Sequence, residues 1–275
     1  MGKEDQTTAQ AFASSWNNLN LGSVYTFEQF LDWINPLEEK DIKGKQVLEL
    51  GCGNASLMVH CTHLKPEKIT GVDLGDSVKA AEMNLKHFSA SEWELIQDDL
   101  INYYNESGYD IVYCIGVLHH LKKPFEGLKS VIKNTKIGGR FHCWVYAKEG
   151  NAIIIYVVDP IRKLASKLPW WFNKYLIAGP LVIPYFFYAK GLYLFKILGI
   201  TLSFLPLYEY SIWIAKREFY FFRHVAFDQL VTPQTQYISK EEIQKWLLQI
   251  PDIDSTYIIM RNGNSWKFGG KKKVQ

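Results

Sequence analysis

At 275 residues the chain is one large domain or a domain carrying an insertion, since domains usually run to about 100–200 residues. Its 31 Lys and Arg against 28 Asp and Glu leave a formal charge of only +3. That argues against a nucleic-acid partner, which calls for a strongly basic face. With 48% apolar and 21% charged residues the sequence is not that of a disordered chain. Aromatic residues reach 15% and are unevenly spread. Cys52, Cys61, Cys114 and Cys143 form no Cys-x-x-Cys pair, and the polar opening decapeptide has no secretory apolar core. Together these predict buried thiols in the cytoplasm, with neither a disulfide scaffold nor a metal site.

In chain order, Ser14–Leu37 carries apolar residues at loosely helical spacing and stops at Pro36, an amphipathic lead-in. From Lys45 short β-rich runs alternate with helical stretches. Strands are expected at Gln46–Leu50, Lys68–Asp73, Trp93–Gln97, Tyr109–Cys114 and Arg140–Tyr146. Helices are expected at Ala55–His63, Ser77–His87, Pro124–Asn134 and briefly near Leu100–Asn105. This alternation implies parallel strands joined by crossover helices, with Gly138-Gly139 turning into the fifth strand. After Tyr146 the alternation ends. Asn151–Phe222 is aromatic, apolar and poor in acids, which suggests an inserted helical cap. Ser239–Gln249 then reads as a helix opened by a Ser239/Glu242 capping box. Tyr257–Arg261 and Ser265–Phe268 flank Asn262-Gly263-Asn264, a hairpin signal. The divisions are a helical lid at 1–40, a core at 41–149, the cap at 150–225, and a helix plus hairpin completing the core at 226–275.

The sharpest signal is Val47-Leu48-Glu49-Leu50-Gly51-Cys52-Gly53-Asn54-Ala55-Ser56, an apolar strand entering a glycine-rich turn that opens a helix. Glycines there let backbone approach a ligand, and the helix start offers unpaired N–H groups. Asp73 ends the next strand 22 residues after Gly51, where an acid accepts from ribose hydroxyls. Ser56 stands where the dinucleotide fingerprint has its third glycine, so a pyrophosphate fits poorly. Glu49, two residues before Gly51, would repel phosphate and suits a cation. A nucleoside bearing a sulfonium and an amino-acid end matches better than a nicotinamide dinucleotide.

Glu49-Leu50-Gly51-Cys52-Gly53, Val72-Asp73, Gln97-Asp98-Asp99 and Tyr109-Asp110-Ile111-Val112…Gly116-Val117-Leu118-His119-His120-Leu121 resemble the ordered motifs of class I S-adenosylmethionine-dependent methyltransferases, in the style of the quinone-biosynthesis-like branch. The resemblance covers about Lys45–Tyr146. Segments around Arg223–Pro233 and Asn262–Trp266 are similar to uncharacterised bacterial members. The resemblance implies a Rossmann-like α/β fold: a doubly wound, mostly parallel seven-stranded sheet closed by an antiparallel hairpin. It also implies S-adenosylmethionine as cofactor. Glu49, Gly51 and Gly53 would lie near its methionine end, Asp73 and Leu74 at the ribose, Asp98 or Asp99 at the adenine, and Ile115-Gly116 beside the sulfonium.

Catalytic candidates are less sharply marked. His119 and His120 follow the fourth strand at the carboxyl edge, where open α/β sheets bind ligands, and histidine titrates near neutrality; packing is the competing role. His224, Asp228, Gln229 and Tyr237 cluster after the insertion and could face an acceptor. Trp16 and Tyr25 are candidates for a lid. Leu176–Ala189 and Ile197–Tyr208 lack charge for 14 and 12 residues, broken by Pro180, Pro184 and Pro206, short of the roughly 18 needed to span a bilayer. Residues 151–222 therefore read as a lid over a hydrophobic pocket, a homo-oligomer surface or a peripheral membrane patch. The expected activity is methyl transfer to oxygen on a small molecule or a glycan- or lipid-linked acceptor. The alternatives are a membrane-surface enzyme acting on a quinone-like or lipid acceptor, and a non-catalytic cofactor-binding scaffold.

Overall fold

The structure is a computed structural model that describes residues 6–11 and 25–274. Trp16, and all of the lead-in before Tyr25, lie outside the described residues. The elements that build the sheet follow the expected alternation: β1 (Gln46–Leu50), α3 (Ser56–Thr62), β2 (Lys68–Asp73), α4 (Val78–Phe88), β3 (Glu92–Gln97), β4 (Tyr109–Ile115), α5 (Pro124–Asn134) and β5 (Thr135–Tyr146). Helices α1 (Phe27–Ile34) and α2 (Glu39–Ile42) precede them. The cap contributes α6 (Asp159–Ala165), α7 (Trp170–Ile197), α8 (Tyr208–Ile214) and α9 (Phe219–Val231). Helix α10 (Lys240–Leu248) then leads to β6 (Ile253–Arg261) and β7 (Ser265–Lys272).

The seven strands lie in the order β3-β2-β1-β4-β5-β7-β6. The first five pair in parallel, while β7 pairs antiparallel to both β5 and β6. Because side chains alternate across a strand, β1 sends Leu48 and Leu50 to a core shared with Val112, Phe141 and Phe268 beneath α5 and α10. It sends Val47 to a second core with Ile69, Ile111 and Tyr113 beneath α1, α3 and α4. Glu49 follows Val47 in this alternation and sits opposite Tyr113 in the β1–β4 ladder. The pleat thus turns an acid into the Tyr113 side of the sheet. The hairpin between β6 and β7 closes through Asn262 and Gly263, both at positive φ (51° and 66°), with Asn264 N–H donating to Arg261 O at 3.2 Å. Both central residues in the left-handed region match the right-handed twist of the flanking strands.

Three expectations need correction. No helix forms at Leu100–Asn105, which is turn and loop. There, side chains of α5 replace helical bonds: Ser130 Oγ donates to Leu100 O and Asn134 Nδ2 to Tyr103 O. Gly138-Gly139 does not precede the fifth strand but lies within β5, where the β4–β5 register jumps from Tyr109↔Thr135 to Ile111↔Arg140. A Cβ on Gly139 would sit 2.8 Å from Asp110 O, so the bulge brings backbone against backbone. In the cap, Pro180 and Pro184 do not break the chain. A π-helical turn at Asn173–Ala178 passes into regular helix at Gly179, so Pro180 falls in a first turn that tolerates a missing N–H. Both prolines are exposed, which leaves the unpaired carbonyl to solvent.

The cap is an excursion from one strand end. Ile238 N–H donates to Tyr146 O at 3.0 Å and Gln236 N–H to His119 O at 2.7 Å, so the chain returns to the point of β5 it left. Helix α9 continues to Val231, past the boundary expected at 225. Ser239 Oγ then accepts from Glu242 N–H at 3.2 Å, and Glu149 caps the same helix through Lys240 N–H at 2.9 Å. The hairpin is part of the core, with Phe268 fully buried. Phe268→Ala should therefore lower the unfolding free energy by about 3–5 kcal/mol, read as a shift in urea midpoint at unchanged slope.

Candidate active site

The glycine turn between β1 and α3 is held by the neighbouring strand. Gly51 and Cys52 N–H groups both donate to Val72 O, at 2.7 and 3.1 Å. Gly51 (φ 80°) and Gly53 (φ 53°) take left-handed backbone, which glycine adopts without steric cost. A Cβ on Gly51 would lie 2.4 Å from a methyl carbon of Val117. Ala55 also adopts positive φ (61°) as it enters α3, and Ser56, where a third glycine was absent, donates its Oγ to Asn54 Oδ1 at 2.6 Å.

Asp73 ends β2 against this turn. Its Oδ2 accepts from Gly53 N–H at 2.9 Å, while Oδ1 accepts from Gly75 N–H at 2.9 Å and Ser77 Oγ at 3.1 Å. A carboxylate has about four acceptor sites, so part of its capacity stays open toward the adjoining cavity. Burial raises its pKa above the ordinary carboxylate value, an effect those three donors only partly offset. Glu49 is almost wholly buried and accepts from Tyr113 Oη at 2.9 Å. Burial, opposed by that hydrogen bond and assisted by the charge of Asp73, pushes its carboxyl up to about 8.

A cavity of about 470 Å³ runs from this turn to the cap. Its sheet end is lined by Glu49, Gly51, Asp73, Leu74, Asp99, Ile115 and Gly116. Of the two adjacent acids, Asp99 reaches the wall, whereas Asp98 is exposed, off the cavity, and accepts from Asp99 N–H at 2.7 Å. Gly53 also lies off the wall and contributes through Asp73. The cap end is aromatic, with Tyr25, Trp33, Tyr146, Tyr185, Tyr210 and Trp213 on the wall. Tyr25 meets Trp33 edge-on at 4.8 Å. Arg261 lines the same end, between the Trp33 and Trp213 rings at 5.5 and 4.9 Å, with its Nε donating to Asp32 at 2.6 Å. These aromatic residues and Arg261 carry no sequence pattern, because they converge from α1, β5, the cap and the hairpin.

The four catalytic candidates separate. His119 is fully buried, not on the wall, and wedged 4.1 Å from both the His120 and Tyr146 rings; burial holds its pKa well below the ordinary value. His224 also lies off the wall, behind Asp228, with its Nε2 3.3 Å from Asp228 Oδ2. His120 is on the wall. Its Nδ1 lies 3.0 Å from Gln234 O, a bond that needs the proton on Nδ1, and burial lowers its pKa to about 3. Tyr237 is on the wall, and its hydroxyl accepts from Arg162 at 2.8 Å. Asp228 and Gln229 join it there.

Residues 48–141 match a family model described as a methyltransferase domain. The fold is similar to that of magnesium protoporphyrin IX methyltransferase from Synechocystis PCC 6803. That structure, solved with bound S-adenosylmethionine, aligns at 12% identity over 99% of each chain with a TM-score of 0.53. The core of this chain is a class I S-adenosylmethionine-dependent methyltransferase domain. An O-methyltransferase family protein from Burkholderia thailandensis aligns over 90% of this chain and 57% of its own at 11% identity, TM-score 0.55. Among curated relatives, tRNA U34 carboxymethyltransferases from Sulfurovum and Helicobacter pylori are 35% and 32% identical over 101 and 102 residues. The matched stretch is 36% of this chain in both cases, and it spans 33% and 39% of those relatives.

The residues present fit S-adenosylmethionine, the cofactor of such domains. A Cβ at Gly51 would strike the Val117 side chain on the same wall, and the buried carboxyl of Glu49 faces the cavity where a cationic ligand end would be favoured. Since the folded-state pKa of Glu49 is raised, its contribution to stability is full below about pH 4.5 and is lost as pH climbs through about 8. Glu49→Gln should remove that alkaline decline, read from urea midpoints across this range. A bound cation favours the ionised carboxylate, so cofactor affinity of the unmodified protein should rise over the same interval and that of the variant should stay level.

Proposed function

We propose that this methyltransferase domain transfers a methyl group to an oxygen of a hydrophobic acceptor held beneath the cap, a small molecule or the carrier end of a lipid- or glycan-linked intermediate. One observation carries the reading: a single cavity joins the glycine turn and Asp73 to an aromatic chamber that residues of the insertion complete. Ligand pockets that are mainly apolar with a few converging polar groups select for apolar ligands oriented at one end.

In this reading Glu49 and the glycine turn hold the methionine end of the cofactor, Asp73 with Leu74 its ribose, Asp99 its adenine, and Ile115-Gly116 the region of its sulfur. When bound, S-adenosylmethionine supplies a methyl group activated by a sulfonium. Tyr25, Trp33 and Tyr146 exclude water from the reacting centre and offer ring faces to positive charge. A hydroxyl acceptor must lose its proton as it attacks. Asp228 is the base we assign, because its carboxylate is on the wall and its charge reaches both Tyr25 and Tyr146, whose hydroxyl pKa values it raises in addition to the effect of burial. His224 stands behind it. His120, neutral down to about pH 3, orients the wall through its bond to Gln234.

Asp73→Ala should weaken S-adenosylmethionine binding by about 1–3 kcal/mol in calorimetry; unchanged affinity would remove it from the ribose. Asp228→Asn should lower kcat by roughly 10²–10⁴-fold while leaving cofactor affinity intact, and the pH–rate profile should lack a histidine inflection near neutrality. For the acceptor, the protein is incubated with methyl-labelled cofactor and fractionated extract. Label in the organic-solvent fraction is the expected result, and label in tRNA would replace this reading with that of the relatives' named substrate.

A further inference from the structure

We infer that the cap lies on the surface of an anionic lipid bilayer and that the acceptor enters the cavity sideways from the lipid. Helix α7 is apolar all round, and among the described residues it is a helix long and apolar enough to cross a membrane. It nonetheless has two different sides. Val182, Ala189 and Leu192 are buried against the rest of the cap, whereas Leu176, Ile183, Phe187 and Leu194 follow the helical repeat on the exposed side, Phe187 at 69% exposure. Trp171, Tyr175 and Phe204 (81% exposed) extend the patch. An apolar helix face open to water is a mark of an unseen apolar partner.

The charges favour lipid over a second copy of this chain. Residues 151–222 hold eight Lys and Arg against three acids, and α7 itself holds none of the acids. Lys163, Lys167, Lys196 and Lys216 are exposed. Two such surfaces would repel each other, whereas basic side chains beside exposed aromatics suit the headgroup zone of an anionic membrane. The cavity also reaches the surface of the cap, where Ile153 and Val157 are exposed and line it. A self-association interface here would seal that mouth, while a bilayer would feed it. The helix rests on the membrane rather than crossing it, because Lys190 Nζ donates to Ala215 O and Arg217 O at 2.7 and 3.1 Å, and Leu181 and Val182 belong to the cavity wall.

The test is sedimentation of the full chain with phosphatidylcholine vesicles and with mixed phosphatidylcholine–phosphatidylglycerol vesicles. No methyl acceptor is present, so it stands apart from the catalytic reading on which the entry route rests. Binding to the mixed vesicles, weakened by salt and released by alkaline carbonate, is expected. Phe187→Glu with Leu194→Glu, both off the cavity wall, should reduce binding at least about tenfold while thermal unfolding and cofactor affinity stay unchanged, and Lys167→Ala should reduce it roughly fivefold. Four results would overturn the inference: absence of sedimentation with either vesicle, equal binding to both, retention through carbonate, or a dimer in light scattering that the Phe187/Leu194 variant abolishes.

Discussion

The carboxylate of Asp73 is the tie between the two halves of the crevice. It takes hydrogen bonds from the glycine turn after β1, at Gly53, and from its own following loop, at Gly75 and Ser77. A glycine-rich turn has the largest conformational freedom to lose on folding, so an unanchored turn would sample many shapes before a ligand arrived. Fixing Gly53 to the end of β2 removes that freedom in advance. The same anchoring sets the distance between two acids of different character. Asp73 is supported by three donors, whereas Glu49 has only Tyr113 to favour its ionised form, against burial and the charge of Asp73, which push its carboxyl up.

Much of this crevice was readable from the residues alone. The strands at Gln46–Leu50 and Lys68–Asp73 and the helix at Pro124–Asn134 appear with the expected bounds, because each is a short apolar run closed by a turn or capped by proline. Local patterns carry that information. The choice of Asp99 over Asp98 for the wall was not readable, since both close the same strand, and only the turn that follows decides which one faces in. The fate of the histidines was also hidden. His119 and His120 are neighbours in sequence, but the short helical turn after β4 buries one among rings and brings the other to the wall. The helix expected near Leu100 failed for a related reason: its carbonyls are satisfied by Ser130 and Asn134, which are distant in sequence.

The cap shows where periodicity misleads. Charge gaps and prolines suggested separate short segments, yet a π-helical turn absorbs the first proline and solvent the second, so one helix of 28 residues results. Its uniform apolarity gives no signal of which side packs. That information resides in its neighbours, α8 and α9, whose own sequences are equally aromatic.

Arg261 links parts that are made far apart in time. It sits between Trp33 of α1 and Trp213 of α8 and is paired with Asp32, 229 positions earlier. Lys267 of β7 adds a bond to Asp32 O at 2.8 Å. On the ribosome, the residues of β1 to β5 that line the crevice are made first, and Trp33 and Trp213 have no cation between them until the hairpin follows. The wall of the aromatic chamber is therefore completed only by the last segment of the chain to be made, because Arg261 belongs to it.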